Sequence, residues 1–198
     1  MAARPEAWIL DNTRAIGRMP ATVHGAPTVI ESDRGRAVLF DGRSDALFVG
    51  TNPIKDAGTF TIEALFRPDR GGMTEQRFVH VQDGACENRV LLETRLTGDS
   101  WYGDTYIRSG STDSALADPA MLHPLGTWHT MALVYDGTNM LQYVDGNLEL
   151  SRGIRFEPMG DAMVSIGCRA NRLFWFKGAV REVRFTRSAL AAEQLLRP

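Results

Sequence analysis

Alternation of apolar and polar positions is clearest between residues 128 and 150. Residues 128–135 alternate strictly, which predicts a β-strand whose two faces meet different environments. Asp136-Gly137 and Asp145-Gly146 interrupt the pattern, and glycine accepts the positive φ that tight hairpin turns require. The stretch therefore predicts a meander of three antiparallel strands.

Short runs of the same kind, separated by Gly and Asp, continue along the rest of the chain. Their length and even spacing predict an all-β fold, a sandwich of two antiparallel sheets. Residues 190–196 predict a short C-terminal helix with Ser188 as its cap, and residues 98–114, rich in Gly, Asp and Ser, predict a loop region on either side of a short strand. The predicted strands outside the meander are 7–10, 28–30, 37–40, 46–49, 60–67, 77–82, 89–96, 105–108, 163–168 and 178–186.

The chain is expected to form a single domain. Its 198 residues lie within the range of one sandwich, and no linker or break in composition divides them. Residues 1–35 carry weak strand signals and are interpreted as an entry segment packed on the domain, which then spans residues 36–198.

Charge and composition exclude several classes of partner. The net charge is −2 with no basic stripe, which argues against nucleic acid, and the apolar runs are too short for membrane insertion. The N-terminus lacks an apolar stretch of signal-peptide length, which favours a cytoplasmic location over an excised or mature secreted domain. Cys86 and Cys168 provide neither a disulfide framework nor zinc-ligand spacing.

Four ordered segments resemble a known family, the laminin-G-like domains of the concanavalin A-like lectin/glucanase superfamily. They are residues 37–49, 60–68, 128–146 and 176–190, so that the resemblance covers roughly residues 36–196. It implies a jelly roll of two curved antiparallel sheets. It implies function only at the level of a class, because this fold carries lectins, glycosidases, lyases and interaction modules.

The resemblance also implies a structural calcium ion, since many of these domains hold one through loop oxygens. Asp41 and Asp45 are the candidate ligands, because calcium takes six to eight oxygen ligands. The alternative is that aspartates beside glycines form turns. Arg181 stands where family members often have an acidic residue, and this departure weakens the calcium expectation.

Polar side chains that share strand faces are the candidates for a binding cleft. If these strands are neighbours in the concave sheet, their carboxylates, imidazole and guanidinium groups converge and could bind hydroxyls or acidic sugars. The alternative is a set of solvated or mutually paired side chains. Trp101 is expected to be an exposed stacking ring, because it lies in the predicted loop, and Phe78 is expected to share a face with His80. The predicted cleft residues are Glu63, His80, Glu93, Arg95, Trp101, Tyr106 and Arg108.

Three functions follow from this cleft. The first is a non-catalytic carbohydrate-binding or recognition module. The second is a polysaccharide-active hydrolase or lyase with Glu93 and His80 as its catalytic pair, although the strand motifs of such enzymes match poorly: Glu93 has no partner carboxylate and Leu91 stands where the lyases have an arginine. The third is a protein–protein interaction domain, which a cleft filled by paired Arg and Glu side chains would favour.

Overall fold

Strands make up nearly all of the regular structure in the computed structural model, which describes residues 4–198. The strands of this part of the chain are β1 (Glu6–Ile9), β2 (Ala15–Ile16), β3 (Met19–His24), β4 (Thr28–Ile30), β5 (Ala37–Asp41), β6 (Ala46–Val49), β7 (Phe60–Pro68), β8 (Glu75–Asp83), β9 (Arg89–Thr97), β10 (Ser100–Ser109), β11 (Thr112–Ala117), β12 (His123–Pro124), β13 (His129–Tyr135), β14 (Asn139–Val144), β15 (Asn147–Gly153), β16 (Ala162–Ile166) and β17 (Lys177–Thr186).

Two antiparallel sheets face each other. Sheet I has the order β15-β14-β13-β7-β17-β5-β4, with β1 also paired to β17. Sheet II has the order β11-β10-β9-β8-β16-β6-β3-β2, with β12 paired to β10. The predicted all-β jelly-roll sandwich is confirmed, and the meander is confirmed as the consecutive strands β13, β14 and β15.

Aromatic rings join the two sheets across a single large core. Phe66 of sheet I stacks on Phe78 of sheet II with ring centroids 4.2 Å apart, and Trp101 meets Phe66 edge-on at 5.2 Å. All three side chains are fully buried. Such pairs contribute about 0.5–1.5 kcal/mol each beyond the burial of their apolar area, so they stabilise the packing of one sheet on the other.

The Asp-Gly turns have the backbone that the sequence predicts. Asp145 and Gly146 both have positive φ, 50° and 75°, as the two central residues of a type I′ hairpin turn require. Gly137 has a φ of 103°, and the Asp136 carboxylate accepts the backbone N–H groups of Thr138 and Asn139. The aspartates therefore stabilise the turns that separate the strands of the meander.

The entry segment is part of both sheets. Strand β1 pairs with β17 and β4 with β5 in sheet I, whereas β3 pairs with β6 in sheet II. Trp8 is fully buried against Phe185 of β17, with ring centroids 4.9 Å apart. Residues 1–3 of this segment lie outside the described residues.

The C-terminus is helical over one turn only. The predicted helix of residues 190–196 is a 3₁₀ turn, Ala192–Gln194, and Ala191 rather than Ser188 stands at its N-cap. Leu190 and Leu195 pack on the outer face of sheet I, and this burial holds the segment in place. No helix within residues 4–198 is long and apolar enough to cross a membrane.

Candidate functional site

Polar side chains converge on the outer face of sheet II, where β8, β9 and β10 are neighbours. The strand register places residues directly across from one another in rows, and side chains in one row share a face. One row is His80, Leu91 and Tyr106, and the next toward the strand ends is Gln82, Arg89 and Arg108. In the opposite direction from the first row, the next row is Arg77, Glu93 and Asp104. The row after it is Glu75, Arg95 and Tyr102.

A β-bulge changes the predicted membership of this face. The register of β8 and β9 shifts between Arg77 and Val79, so that Phe78 turns into the core and Arg77 reaches the outer face. The prediction that Phe78 shares a face with His80 is therefore wrong. The bulge brings an arginine to the point where the regular alternation would have exposed a phenylalanine.

A loop between β16 and β17, residues 167–176, covers part of this face. The Ala170 backbone N–H donates to His80 Nδ1 over 2.8 Å, and the Arg77 backbone N–H donates to the Phe174 carbonyl oxygen over 2.9 Å. The Arg77 guanidinium carbon lies 3.6 Å from the centroid of the Phe174 ring. The loop is thus fixed on the sheet and forms one wall of a pocket.

This pocket, here called the arginine pocket, has a volume of about 100 Å³. Arg77 and Arg89 are largely buried, with 13% and 11% of their side chains exposed. Arg89 lies 5.0 Å from the Tyr106 ring centroid and donates to the Tyr106 hydroxyl oxygen over 3.3 Å. The residues that line the pocket are Arg77, Arg89, Leu91, Glu93, Tyr106 and Arg169.

Two buried donors beside this pocket have no partner among residues 4–198. His80 Nδ1 accepts a hydrogen bond, so that Nε2 carries the proton of the neutral ring, and Nε2 is buried with no acceptor. Arg77 Nη1 is likewise buried and unpaired. Burial and the positive charges of the neighbouring Arg169, Arg89 and Arg77 together lower the pKa of His80 to about 3. A buried donor without a partner costs about 1–3 kcal/mol, a cost that a bound acceptor would offset.

Glu93 provides the carboxylate of the arginine pocket. Its side chain is 4% exposed, and Arg77 Nε lies 3.0 Å from its Oε2. Burial and the nearby Asp104 carboxylate raise the pKa of Glu93, Arg77 and Arg95 oppose this, and the resulting pKa is about 7. Near neutral pH the pocket therefore holds three guanidinium groups against a carboxyl group that is only partly ionised.

Arg95, by contrast, forms ion pairs with carboxylates of the protein itself. It pairs with Asp104 over 2.7 Å and with Glu75 over 2.6 Å. This end of the face is filled by mutual ion pairs. The open, cation-rich part lies instead around Arg89 and Arg169.

A wider cleft adjoins the arginine pocket, since residues next to those of the pocket line it. Its volume is about 460 Å³. Gln82, which lines it, stands directly across from Arg89 in the strand register, and Ala170 of the loop adjoins Arg169. The residues that line this cleft, here called the Met163 cleft, are Gln82, Asp83, Gly84, Asp161, Ala162, Met163, Ala170 and Asn171.

Glu63 does not belong to this face, contrary to the prediction. It lies on β7 in sheet I, where Arg184 donates to its two oxygens over 2.6 and 2.8 Å. The Leu196 backbone N–H also donates to Glu63 over 2.7 Å. Glu63 is 1% exposed and therefore joins β7, β17 and the C-terminal segment.

Trp101 is not an exposed ring, contrary to the prediction. It lies in β10, fully buried, with His123 and His129 against its ring at centroid distances of 4.8 and 5.2 Å. The predicted loop of residues 98–114 is the hairpin of β10 and β11. Trp101 is separated from Tyr106 by an odd number of positions along a strand, so the two side chains point to opposite faces.

Three residues of the candidate site are not among those predicted from the sequence: Arg77, Arg89 and Arg169. The two-residue period along β9 places Arg89 on the same face as Glu93 and Arg95, so the sequence pattern is sufficient to predict Arg89 as a residue of this face. Arg77 reaches the face only through the bulge, and Arg169 only through the path of a loop. No sequence pattern reports either of these.

The oxygens of Asp41 and Asp45 do not fit a calcium ion. Asp41 Oδ1 accepts the backbone N–H groups of Arg43, Ser44 and Asp45. Asp45 accepts the N–H groups of Ala26 and Asp41 through its two oxygens. These are the hydrogen bonds of a turn, and the lone pairs that they leave free are too few to supply by themselves the six to eight oxygen ligands of a calcium ion. Calcium here stays a prediction that this donor set does not support.

Another potential metal-ligand group lies beside Trp101. One ligand atom from each of His123, His129 and Asp145 can be chosen so that all lie within 4.8 Å of one another. His129 Nδ1 is already 2.8 Å from Asp145 Oδ2, and His123 Nε2 is 2.6 Å from Glu149 Oε1. We interpret the group as a hydrogen-bonded support for the buried indole.

Comparisons with known proteins agree with the fold. The sequence model of the concanavalin A-like lectin/glucanases superfamily matches residues 41–196. No curated protein sequence matches this chain.

Solved structures resemble the chain at low identity. Domain 4 of AbnA, a GH43 extracellular arabinanase from Geobacillus stearothermophilus in complex with arabinotriose, has a TM-score of 0.73 and 16% identity over 98% of this chain and 97% of its own. The binding domain of Paraclostridial Mosquitocidal Protein 1 has a TM-score of 0.70 and 11% identity over 96% of this chain and 50% of its own. The NanB sialidase from Streptococcus pneumoniae has a TM-score of 0.60 and 16% identity over 73% of this chain and 26% of its own. These likenesses concern the fold.

Proposed function

Because the chain belongs to the concanavalin A-like lectin/glucanase superfamily, we propose that it is a non-catalytic carbohydrate-binding module whose ligand binds on the outer face of sheet II. The ligand would contact the arginine pocket and the adjoining Met163 cleft. Carbohydrate is therefore the partner that this proposal assigns.

The observation that carries the proposal is the pair of unsatisfied buried donors at the arginine pocket. Arg77 Nη1 and His80 Nε2 lack acceptors within the described chain, although most buried polar atoms of native proteins are paired. Sugars present many oxygen acceptors at close spacing. A saccharide in the pocket would accept from these donors and from Arg89.

The arabinanase domain gives the proposal its comparative support. That domain is in complex with arabinotriose, and its match spans almost the full length of both chains. At 16% identity the match does not transfer a binding site, so the position of the ligand rests on the pocket of this chain alone.

A polysaccharide-active hydrolase or lyase is the second candidate, and Glu93 favours it. A carboxyl group with a pKa of about 7 in a pocket suits general acid or base catalysis at neutral pH. His80 does not suit the role of a second acid or base, because its low pKa keeps it neutral and its Nδ1 already accepts the Ala170 N–H. The enzyme therefore lacks the Glu93–His80 pair that the sequence suggested.

A glycan-array screen, run with calcium and again with a chelator, tests the proposal. We expect binding that survives the chelator, because the Asp41 and Asp45 oxygens are occupied by N–H donors. Arg89→Gln should weaken binding at least tenfold, and Arg43→Gln, which removes the same charge from an exposed turn, should not. A folded protein that binds nothing on a broad array would refute the proposal and favour a protein partner.

A further inference from the structure

We propose that the arginine pocket receives the oxyanion of an acidic saccharide, a carboxylate or a sulfate ester. The inference deepens the proposed function and rests on it, since it concerns the same site. It states which chemical group enters the pocket and therefore which class of sugar the protein selects.

Arg169 brings a positive charge to the pocket that no carboxylate of residues 4–198 pairs with. Arg77 pairs with Glu93, and Arg89 pairs with Glu87, whereas Arg169 has no ion-pair partner among residues 4–198. Burial lowers the pKa of Arg169, and the positive charges of Arg89 and Arg77 lower it further. Three guanidinium groups around one small pocket repel one another, and a bound anion would replace that repulsion by attraction.

Donors outnumber acceptors among the side chains of the pocket. A guanidinium group has five N–H donors and no acceptor, and the free Nε2 of His80 is also a donor. A sugar hydroxyl brings a proton of its own, and the side-chain acceptors that line the pocket are already engaged: Glu93 pairs with Arg77, and the Tyr106 hydroxyl accepts from Arg89. An ionised oxyanion only accepts, so it complements this donor set, and arginine binds such groups in paired, charge-assisted hydrogen bonds.

The two adjoining cavities differ in size. A pocket of about 100 Å³ suits a substituent and not a whole sugar, whereas the Met163 cleft offers about 460 Å³. The cleft combines the apolar Met163 and Ala162 with the polar Gln82 and Asn171, which suits the mixed surface of a sugar ring. The acidic group of a ring in this cleft could reach the pocket past Gln82 and Arg89.

Nuclear magnetic resonance titration tests the inference with defined probes. Glucuronate and glucose 6-sulfate are added to the folded protein at constant ionic strength, with glucose as the neutral control. We expect the Nε–H signals of Arg77, Arg89 and Arg169 and the Nε2–H signal of His80 to shift with either acidic sugar and not with glucose. Comparison of the two acidic probes distinguishes carboxylate from sulfate.

Two variants of the same loop sharpen the test. Arg169→Gln should weaken binding of the acidic probe at least tenfold. It should leave Tm unchanged or higher, because it relieves repulsion and removes no ion pair. Arg172→Gln removes the same charge three residues away on an exposed position and should bind like the wild type. A structural role for Arg169 would instead lower Tm on substitution.

The outcomes separate the inference from the proposed function. Equal shifts with glucose, or no shift at saturating glucuronate and glucose 6-sulfate, would overturn the inference. If the glycan array then shows neutral saccharides bound, the proposed function still stands. Shifts with the acidic probes beside an array that stays silent for neutral and acidic glycans alike would show a pocket that binds an anion without selecting a saccharide, and would contradict both the inference and the proposed function.

Discussion

A two-residue period decides which side chains of sheet II can meet a ligand. Along β10, Tyr106 and Arg108 point outward while Trp101 and Ile107 point into the core. Along β9, Arg89, Glu93 and Arg95 share the outer face. The candidate site depends on this alternation, and the bulge in β8 interrupts it at Arg77 and so brings that side chain to the site.

Trp101 is expected to stabilise the fold and to play no part in binding. Trp101→Ala should lower the free energy of unfolding by about 3–5 kcal/mol, because it removes a fully buried ring packed on Phe66 and His123. Trp101→Phe should cost less and should bind ligand like the wild type. Chemical denaturation measures the first effect and titration the second. Loss of binding in a stably folded Trp101→Phe protein would contradict this assignment.

Glu93 should make stability depend on pH. Its pKa in the folded protein, about 7, lies above its ordinary value of 4.5, so the folded state holds the extra proton. The free energy of unfolding should therefore fall as pH rises from 4.5 through 7, by about 3 kcal/mol at most. The charged groups that face Glu93 are Arg77 and Asp104 across the register and Arg95 on its own strand.

Glu93→Gln isolates this contribution. His80 acts in the opposite direction, because its lowered pKa makes stability fall as pH decreases from 6.5 toward 3. The difference between wild type and Glu93→Gln cancels the histidine and leaves the glutamate. Denaturation midpoints across the pH range measure it. A difference that stays constant between pH 4.5 and 7 would show that Glu93 does not titrate there.

At the scale of the elements, β17 pairs with three other strands of sheet I. It pairs with β7, β5 and β1, and its register on β7 shifts between Val180 and Glu182. Gly178 pairs with Pro68 of β7, and a Cβ atom added there would lie 2.1 Å from the Arg67 carbonyl oxygen. The β7 backbone could not move away from this Cβ atom without breaking its hydrogen bonds to the neighbouring strands β17 and β13.

Gly178→Ala should therefore be strongly destabilising, by about 3 kcal/mol or more, in the range reached by overpacked and strained core positions. Gly58→Ala is the matched control, since a Cβ atom at Gly58 would meet nothing within 4 Å. Thermal unfolding of the two variants measures the difference. Similar melting temperatures would contradict the close approach of β17 and β7.

At the scale of the whole molecule, the sequence predicts the sandwich better than the site. Alternation and Asp-Gly turns are local signals, and they identify the meander of residues 128–150 and most other strands. Which sheet a strand joins is a long-range property: Glu63 has the right alternation for a cleft but lies in sheet I. The arginine pocket combines a bulge, two neighbouring strands and a loop distant in sequence, and none of these is encoded in a local pattern.

The measurement that tests the central claim most directly is to map the bound ligand on the folded protein. Backbone amide shifts are followed while the strongest saccharide from the array is titrated. We predict that the shifts cluster on β8, β9, β10 and the 167–176 loop, around the arginine pocket and the Met163 cleft. Shifts confined to the Asp41–Asp45 turn or to sheet I would contradict the account, because they would place the ligand on another surface.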